Sequence, residues 1–361
     1  MTDRPSSVVL GTTLFATEIV DVATEAGFEV TGYVENLDRE KCASDLDGRP
    51  VHWIEDCDSL VATHRAVCGL GTTRRSVFAD QAAGVGLRFM PTKADNPNVP
   101  VTPDEIANDA ARCVAPGAPI LHLHARDESG VPTYRRDMYA EIVEKVRARC
   151  GDVIVDVSTS GRRFSEFEQR AEVLELEGDL APELTSLTLG SLNFPQQGSV
   201  NDPRMIRQLA ERMRECSIVP ELEVFDLGMV DYATYLLEQG VLAPSLSFNI
   251  LLGNPGTLAA TSLNLATVVR ALPAGATWAA TGIGRFQLPM NALAVTSGSH
   301  VRVGLEDNLW LDTAKTRAAD NLSLVQRVVG IAQAVEREIA TPVQARELIG
   351  LPPRPSVSGD A

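Results

Sequence analysis

The stretch APILHLHA, residues 118–125, followed by RDMYAEIVEKVRARC (136–150) and DVIVDVST (152–159), decides the fold. In the first segment, apolar Leu121 and Leu123 alternate with His122 and His124, the period of two expected of a strand with different faces. The second segment has helical periodicity and the third reads as another strand. Strand, helix and strand in this order make a parallel βαβ unit.

Reading outward, the unit repeats. Strand ELTSLTLGS precedes helix DPRMIRQLAERMREC, strand SIVPELEVFD precedes helix VDYATYLLEQG, and strands SLSFNILLG, TWAATGIG and HVRVGLED follow, each succeeded by a helix. Thr102-Pro103-Asp104-Glu105 offers a capping box with proline at N1 for the helix before Ala118. Seven strands result. VGLRFM at residues 85–90 makes an eighth, the number that closes a (β/α)8 TIM barrel, which takes about 250 residues. A doubly wound sheet shares the alternation, and the strand count favours the barrel.

Residues 7–90 show a shorter α/β pattern: strand SVVLG, helix ATEIVDVATEAG, strand FEVTGYVE, the loop DLDGRPV, strand AVCGLG and helix RRSVFADQAAG. The proline-rich segment MPTKADNPNVPVTPDE separates the patterns. The expected organisation is a Rossmann-like N-terminal domain over 1–85, a barrel over 86–351 and a tail over 352–361.

Of the 361 residues, 44% are apolar and 22% charged, an ordinary globular composition. The net charge of −16, without a basic run, argues against a nucleic-acid partner. Six cysteines lie far apart without a C-x-x-C pair, no secretion signal opens the chain, and no stretch has membrane-span length. A cytoplasmic protein with reduced thiols is expected.

Barrel strands carry their functional groups at their C-terminal ends. Asp156, Ser158 and Thr159 end one strand, Ser186 and Thr188 lie in the next, Glu221 and Glu223 follow, and the last runs Arg302-Val303-Gly304-Leu305-Glu306-Asp307-Asn308. A lone strand histidine is commonly a satisfied core residue. Two at i and i+2 in an apolar barrel need polar partners for both, and they can chelate a divalent ion. With one carboxylate and open positions, such a set suits zinc or a similar ion acting as a Lewis acid. An inward Arg302 requires an anion, supplied by Glu223 or a substrate carboxylate. Asp307 has the chemistry of a base beside the metal. These groups suit carbon–carbon bond chemistry next to a ketone.

The stretches PNVPVTPDEIA, ILHLHARDESGVPT, DVIVDVSTSGR, PELTSLTLGSLNF, VPELEVFDLGMVD, WAATGIGRFQLP, HVRVGLEDN and ATPVQARELIGL resemble, in order, the β-keto acid cleavage enzymes. The resemblance runs from about residue 92 to 351. It implies a zinc-dependent barrel, a homo-oligomer (dimer or tetramer), that converts a β-keto acid and acetyl-CoA into acetoacetate and a new acyl-CoA. It implies His122, His124 and Glu306 as metal ligands and Asp307 as the base. Arg302 and Ser158 are implied to position the substrate carboxylate, with Glu223 in the same network. Ser186 stands where the family commonly has threonine, and Thr159 is expected beside the substrate.

Departures from the family bear on the substrate. AAGVGLRFM replaces a more polar first strand, leaving Phe89 and Met90 where relatives that take cationic keto acids have an acidic residue. Met90 is therefore expected to line an apolar or differently anchored substrate, and a cationic one is disfavoured. Ser160 and Ser299 replace glycines.

Residues 7–85 resemble more weakly the N-terminal domain of sialic-acid-type sugar O-acyltransferases. A docking role stands beside the alternative of a phosphorylated ligand near Gly11 and Gly69-Leu70-Gly71, with Arg74 or Arg75. Competing functions are metal-enolate cleavage or condensation without CoA, a metal-dependent hydrolase, for which His52, His64 and His300 are poorly placed, and a binding protein without turnover.

Overall fold

A computed structural model describes residues 6–10, 20, 23–24, 29–35, 39–57, 65–68, 91–194 and 198–354. The sequence strand VGLRFM, with Phe89 and Met90, lies outside these residues, as do Gly11, Gly69-Leu70-Gly71, Arg74, Arg75 and most of the C-terminal tail.

The N-terminal segment contains β1 (Ser6–Leu10), β2 (Glu29–Glu35), β3 (Val51–Trp53) and β4 (Arg65–Cys68) in a sheet of order β3-β2-β1-β4. All its pairings are parallel. Strand β3 was not expected from DLDGRPV. Asp47 and Gly48, both at positive φ (51° and 69°), make the tight turn that pairs Leu46 with Arg49 and directs the chain into Val51.

The larger sheet is built from β5 (Ile120–Leu123), β6 (Ile154–Val157), β7 (Leu184–Thr188), β10 (Val219–Val224), β11 (Ser247–Leu252), β12 (Thr277–Gly282) and β13 (His300–Val301), after a small antiparallel pair β8 (Leu192–Asn193) and β9 (Gly198–Ser199). Its seven strands are parallel and lie in chain order from β5 to β13. Such a curled, sequentially ordered sheet is consistent with a (β/α)8-type barrel. From residue 91 on, the α-helices among the described residues are α1 (Pro103–Val114), α2 (Arg136–Cys150), α3 (Phe167–Ala171), α4 (Pro203–Glu215), α5 (Leu227–Glu238), α6 (Ser262–Ala271), α7 (Gln287–Thr296), α8 (Asn321–Ala334) and α9 (Pro342–Ile349).

Local chemistry sets many of these boundaries. Thr102 and Glu105 form the capping box of α1, Thr341 and Gln344 that of α9, and Asp202, Asp226 and Asp320 accept backbone N–H groups at the starts of α4, α5 and α8. Leu121, Leu123, Val155 and Val157 pack outward against Ile142, Val143 and Val146 of α2 in the main core. At the other end of the lumen, Ile154 and Leu184 pack with Ala345, Ile349 and Leu351, so α9 covers the N-terminal ends of the strands with apolar side chains. The polar residues two positions further along each strand therefore stand one layer higher. Among the described residues, no helix is long and apolar enough to cross a membrane.

Candidate active site

His122 and His124 leave β5 on the lumen side, their rings 4.9 Å apart and nearly perpendicular. Their Nε2 atoms are 3.1 Å apart. Strand β13 ends at Val301, earlier than its sequence pattern predicts, and the chain turns so that Asp307 and Asn308 donate backbone N–H groups to Gly304 O. This turn places Glu306 beside Arg302, with Oε2 2.6 Å from Nη2, and carries the carboxylate to the histidines. Glu306 Oε2 is 3.0 Å from His124 Nε2 and 3.8 Å from His122 Nε2.

The three atoms thus form a triangle with edges of 3.0 to 3.8 Å. Ligand atoms about 2.0–2.1 Å from a tetrahedral ion stand about 3.4 Å apart, so the triangle fits one face of a zinc-like coordination sphere. The protonation pattern fits as well. Asp156 Oδ2 lies 2.6 Å from His122 Nδ1; with the proton there, Nε2 keeps its lone pair for a cation. Burial lowers the pKa of both imidazoles, favouring the neutral form that binds metal. Burial pushes Glu306 up, but His124, Arg302 and Arg162 together hold it well below the ordinary carboxylate range.

Around this triad the lumen is crowded with acid. Arg302 Nη1 donates to Glu223 at 3.1 Å and Glu221 at 3.2 Å. Burial disfavours its charge, yet the four surrounding carboxyls, led by Glu306, raise its pKa well above the usual value. Thr188 donates to the other oxygen of Glu223 at 2.7 Å. Asp307 Oδ2 lies 3.8 Å from Arg302 Nε and, among the described residues, has no hydrogen-bond partner. Burial pushes Asp307 up to about 7, Glu221 to about 7 and Asp156 to about 8. Asp156 Oδ1 is likewise buried without a partner among the described residues. The triad, Asp156, Glu221, Arg302 and Asp307 all line a cavity of about 420 Å³.

The sequence-derived residues fall into two groups. His122, His124, Glu306, Asp307, Arg302 and Glu223 converge at this centre. Ser158, on the loop after β6, accepts the Ser160 N–H at 3.2 Å and shares a small cavity with His124. Thr159 and Ser186 are buried against each other, the threonine hydroxyl donating to the Ser186 carbonyl. Met90 lies outside the described residues.

Asp156 and Glu221 are recognisable in the sequence only as strand-end polar groups without a specific role, and Arg162 only as the last residue of the DVIVDVSTSGR stretch. Arg162 Nη2 donates to Glu306 Oε1, and its guanidinium lies 4.7 Å over the Phe194 ring. No strand periodicity marks a loop residue, so only its charge beside the Ser158-Thr159-Ser160-Gly161 turn was visible.

Comparison with known proteins bears on what this centre does. Among curated proteins, the 3-keto-5-aminohexanoate cleavage enzyme of Fusobacterium nucleatum subsp. nucleatum is 38% identical over 261 residues, covering 72% of this chain and 93% of that protein. The 3-oxoadipate:acetyl-CoA acetyltransferase of Cupriavidus necator is 36% identical over 266 residues, covering 73% and 92%. Among solved structures, apo ObcA superposes with a TM-score of 0.62 at 23% identity over 75% of this chain and 67% of that one, which supports the barrel fold. The model of the beta-keto acid cleavage enzymes matches residues 87–351, leaving the first four strands outside it, and the chain belongs to that family.

Proposed function

We propose that this protein is a metal-dependent β-keto acid cleavage enzyme that uses acetyl-CoA, transferring CoA to the acyl part of the keto acid and releasing acetoacetate. The observation that carries this reading is the convergence of His122, His124 and Glu306 next to an Asp307 oxygen that has no hydrogen-bond partner among the described residues. The names of the curated relatives, a keto acid cleavage enzyme and an acetyl-CoA acetyltransferase, point to the same chemistry.

A divalent ion, most simply Zn²⁺, held by His122, His124 and Glu306 would polarise the keto oxygen and lower the acidity barrier of the adjacent carbon. Asp307 is the base. Its pKa, pushed up to about 7, suits a general base at neutral pH, and the residue lines the cavity with Oδ2 making no hydrogen bond among the described residues. It takes a proton from the carbon between keto group and carboxylate. That carbon attacks the acetyl thioester carbonyl, forming a C–C bond and expelling the CoA thiolate. The thiolate then adds to the original keto carbon. Cleavage of the old C–C bond yields the new acyl-CoA and the acetoacetate carbanion, which takes its proton back from Asp307.

Arg302, held rigid by Glu221 and Glu223, presents fixed positive charge to the substrate carboxylate and to the developing anions. Ser158 supplies a hydroxyl at the rim for the same carboxylate, and Thr159 with Ser186 stiffens the wall behind it. In this reading, residues 1–85 form a separate α/β unit, and the protein works in the cytoplasm as a dimer or tetramer. The substrate is not cationic, and Met90 contributes to its pocket.

The test is incubation of Zn²⁺-loaded protein with acetyl-CoA and a panel of β-keto acids, following acetoacetate and acyl-CoA by mass. Acetoacetate formed only when both substrates and metal are present supports the reading. Full activity after chelation, or cleavage without acetyl-CoA, overturns it in its present form.

A further inference from the structure

We infer that the keto acid carries a second anionic group at the end remote from its carboxylate, and that Arg162 recognises it. This rests on the proposed metal role of Glu306.

Arg162 is anchored but not saturated. Nε donates to Ser160 Oγ at 3.2 Å, Nη2 to Glu306 Oε1, and the guanidinium face rests on Phe194, while Nη1 has no hydrogen-bond partner among the described residues. Its side chain is 20% exposed, so it sits at the rim rather than in the core. The Glu306 charge that balances it is shared with Arg302 and His124. Once that carboxylate is committed to a divalent ion, Arg162 retains its full charge with little compensation.

Its neighbours do not supply the deficit. Arg126, 7% exposed, gives its Nη groups to the Gly130 and Pro91 carbonyls and makes no ion pair among the described residues. Arg162 and Arg126 therefore set positive charge at the opening on the β5–β6 side, beyond Asp156 on the inner row of β6, whereas Glu221, Glu223 and Asp307 lie around Arg302 toward β10 and β13. A keto acid reacting at the triad extends its substituent past either the acidic or the basic side. A cation would be repelled by Arg162 at the latter, and an uncharged chain would leave the guanidinium unpaired. A carboxylate would complete it through a charge-assisted pair.

CoA phosphates offer the same anionic chemistry, and the experiment separates the two sources. With Zn²⁺-loaded protein, kcat/KM is compared for 3-oxoadipate and 3-oxohexanoate, which match in length and differ in terminal charge. Binding of each acid is also titrated calorimetrically without acetyl-CoA. Both measurements are repeated on Arg162→Gln and Arg162→Lys, with metal content determined for each, because Arg162 touches Glu306. The expected preference for the diacid is about 10- to 100-fold in both measurements, the range of a hydrogen bond to a charged group. Arg162→Gln should erase it and Arg162→Lys retain part of it. Equal treatment of the two acids by the unmodified protein, or a preference unmoved in Arg162→Gln, overturns the inference. So does a raised KM for acetyl-CoA but not for acetyl-pantetheine with the acid preference unchanged, since the guanidinium then serves CoA. Absence of acetoacetate with every acid removes the cleavage reaction instead, while the calorimetric preference still reports on Arg162.

Discussion

At the N-terminal end of the barrel strands, Glu183 accepts from Arg346 Nη2 at 2.8 Å, Arg147 Nη2 at 2.9 Å and the Val155 N–H at 3.0 Å. At the C-terminal end the proportions reverse: Arg302 and Arg162 face Asp156, Glu221, Glu223, Glu306 and Asp307. The leftover groups differ accordingly. Among the described residues, the lower network leaves guanidinium donors without partners, on Arg147 and Arg346, and the upper one leaves carboxylate acceptors, on Asp156 and Asp307. The lower arginines tie α2 and α9 to the base of β7, where Asp152 adds a second anion at 3.1 Å. There each carboxylate has a guanidinium partner supplied by the chain itself. In the proposed reading, the upper arrangement, with its surplus of acceptors and two neutral imidazoles, takes an added cation.

Substitutions at the two ends should therefore fail in different ways. The largest effect is expected above. His124→Ala should lose its metal on dialysis, read by elemental analysis, and its turnover with it. Asp307→Asn should keep its metal while kcat falls about 10²- to 10⁴-fold, the usual contribution of a general base. Retained activity in Asp307→Asn would reassign the proton transfer to another carboxyl of the cluster.

Below, Arg346→Met removes one partner of a buried pair, 3% exposed, and leaves Glu183 undercompensated. A loss of about 3–5 kcal/mol is expected in urea unfolding, with the KM values of the surviving enzyme unchanged. A change in KM with little loss of stability would blur the distinction between the ends.

How far each end could be read from sequence follows from periodicity. The alternation in ILHLHA put His122 and His124 on one face, the need of an inward Arg302 for an anion pointed to Glu223, and the βα repeats announced the parallel sheet. The two-residue length of β13 was not legible, because HVRVGLED alternates well past Val301; Gly304 and the turn that follows end the strand instead. Nor could spacing show that Asp156 lies directly opposite His122 in the register, since pairing partners are set by sheet geometry. Arg346 looked like an ordinary helix residue, and its 183-to-346 contact spans most of the barrel. Long-range pairs of this kind leave no local pattern.

The Asp156 contact invites a smaller perturbation. Asp156→Asn keeps size and an acceptor for His122 Nδ1–H but removes the charge. Groups that orient a ligating histidine are worth about 10- to 100-fold in metal affinity. A weakening in that range, measured by competition with a chelator, would show that the upper network reaches beyond its three candidate ligands. Unchanged affinity would confine the centre to them.

The smallest effect separates the two ends by pH. In the metal-free protein, Asp156 at about 8 and Glu221 and Asp307 at about 7 hold protons that the unfolded chain has already released above about pH 5. The folded state therefore binds more protons, and its stability declines as pH rises through 7 toward 8. His122 and His124 act in the opposite sense, being neutral when folded and protonated when unfolded, and that contribution fades above about pH 6.5, where the unfolded imidazole is half-protonated, to little by about pH 7.5. Glu306, depressed in the folded state, contributes only in the acid range. Between pH 6.5 and 8 the three carboxyls outweigh the fading imidazole contribution, and urea unfolding of metal-free protein should lose on the order of 2 kcal/mol. Asp156→Asn should flatten that decline. Saturating Zn²⁺ at the triad should flatten it, because a cation beside Asp156, Glu221 and Asp307 favours their ionised forms and draws their pKa values back toward the ordinary carboxylate range. A decline that persists unchanged with Zn²⁺ present would mean that the cation does not bind at the carboxyl-rich end.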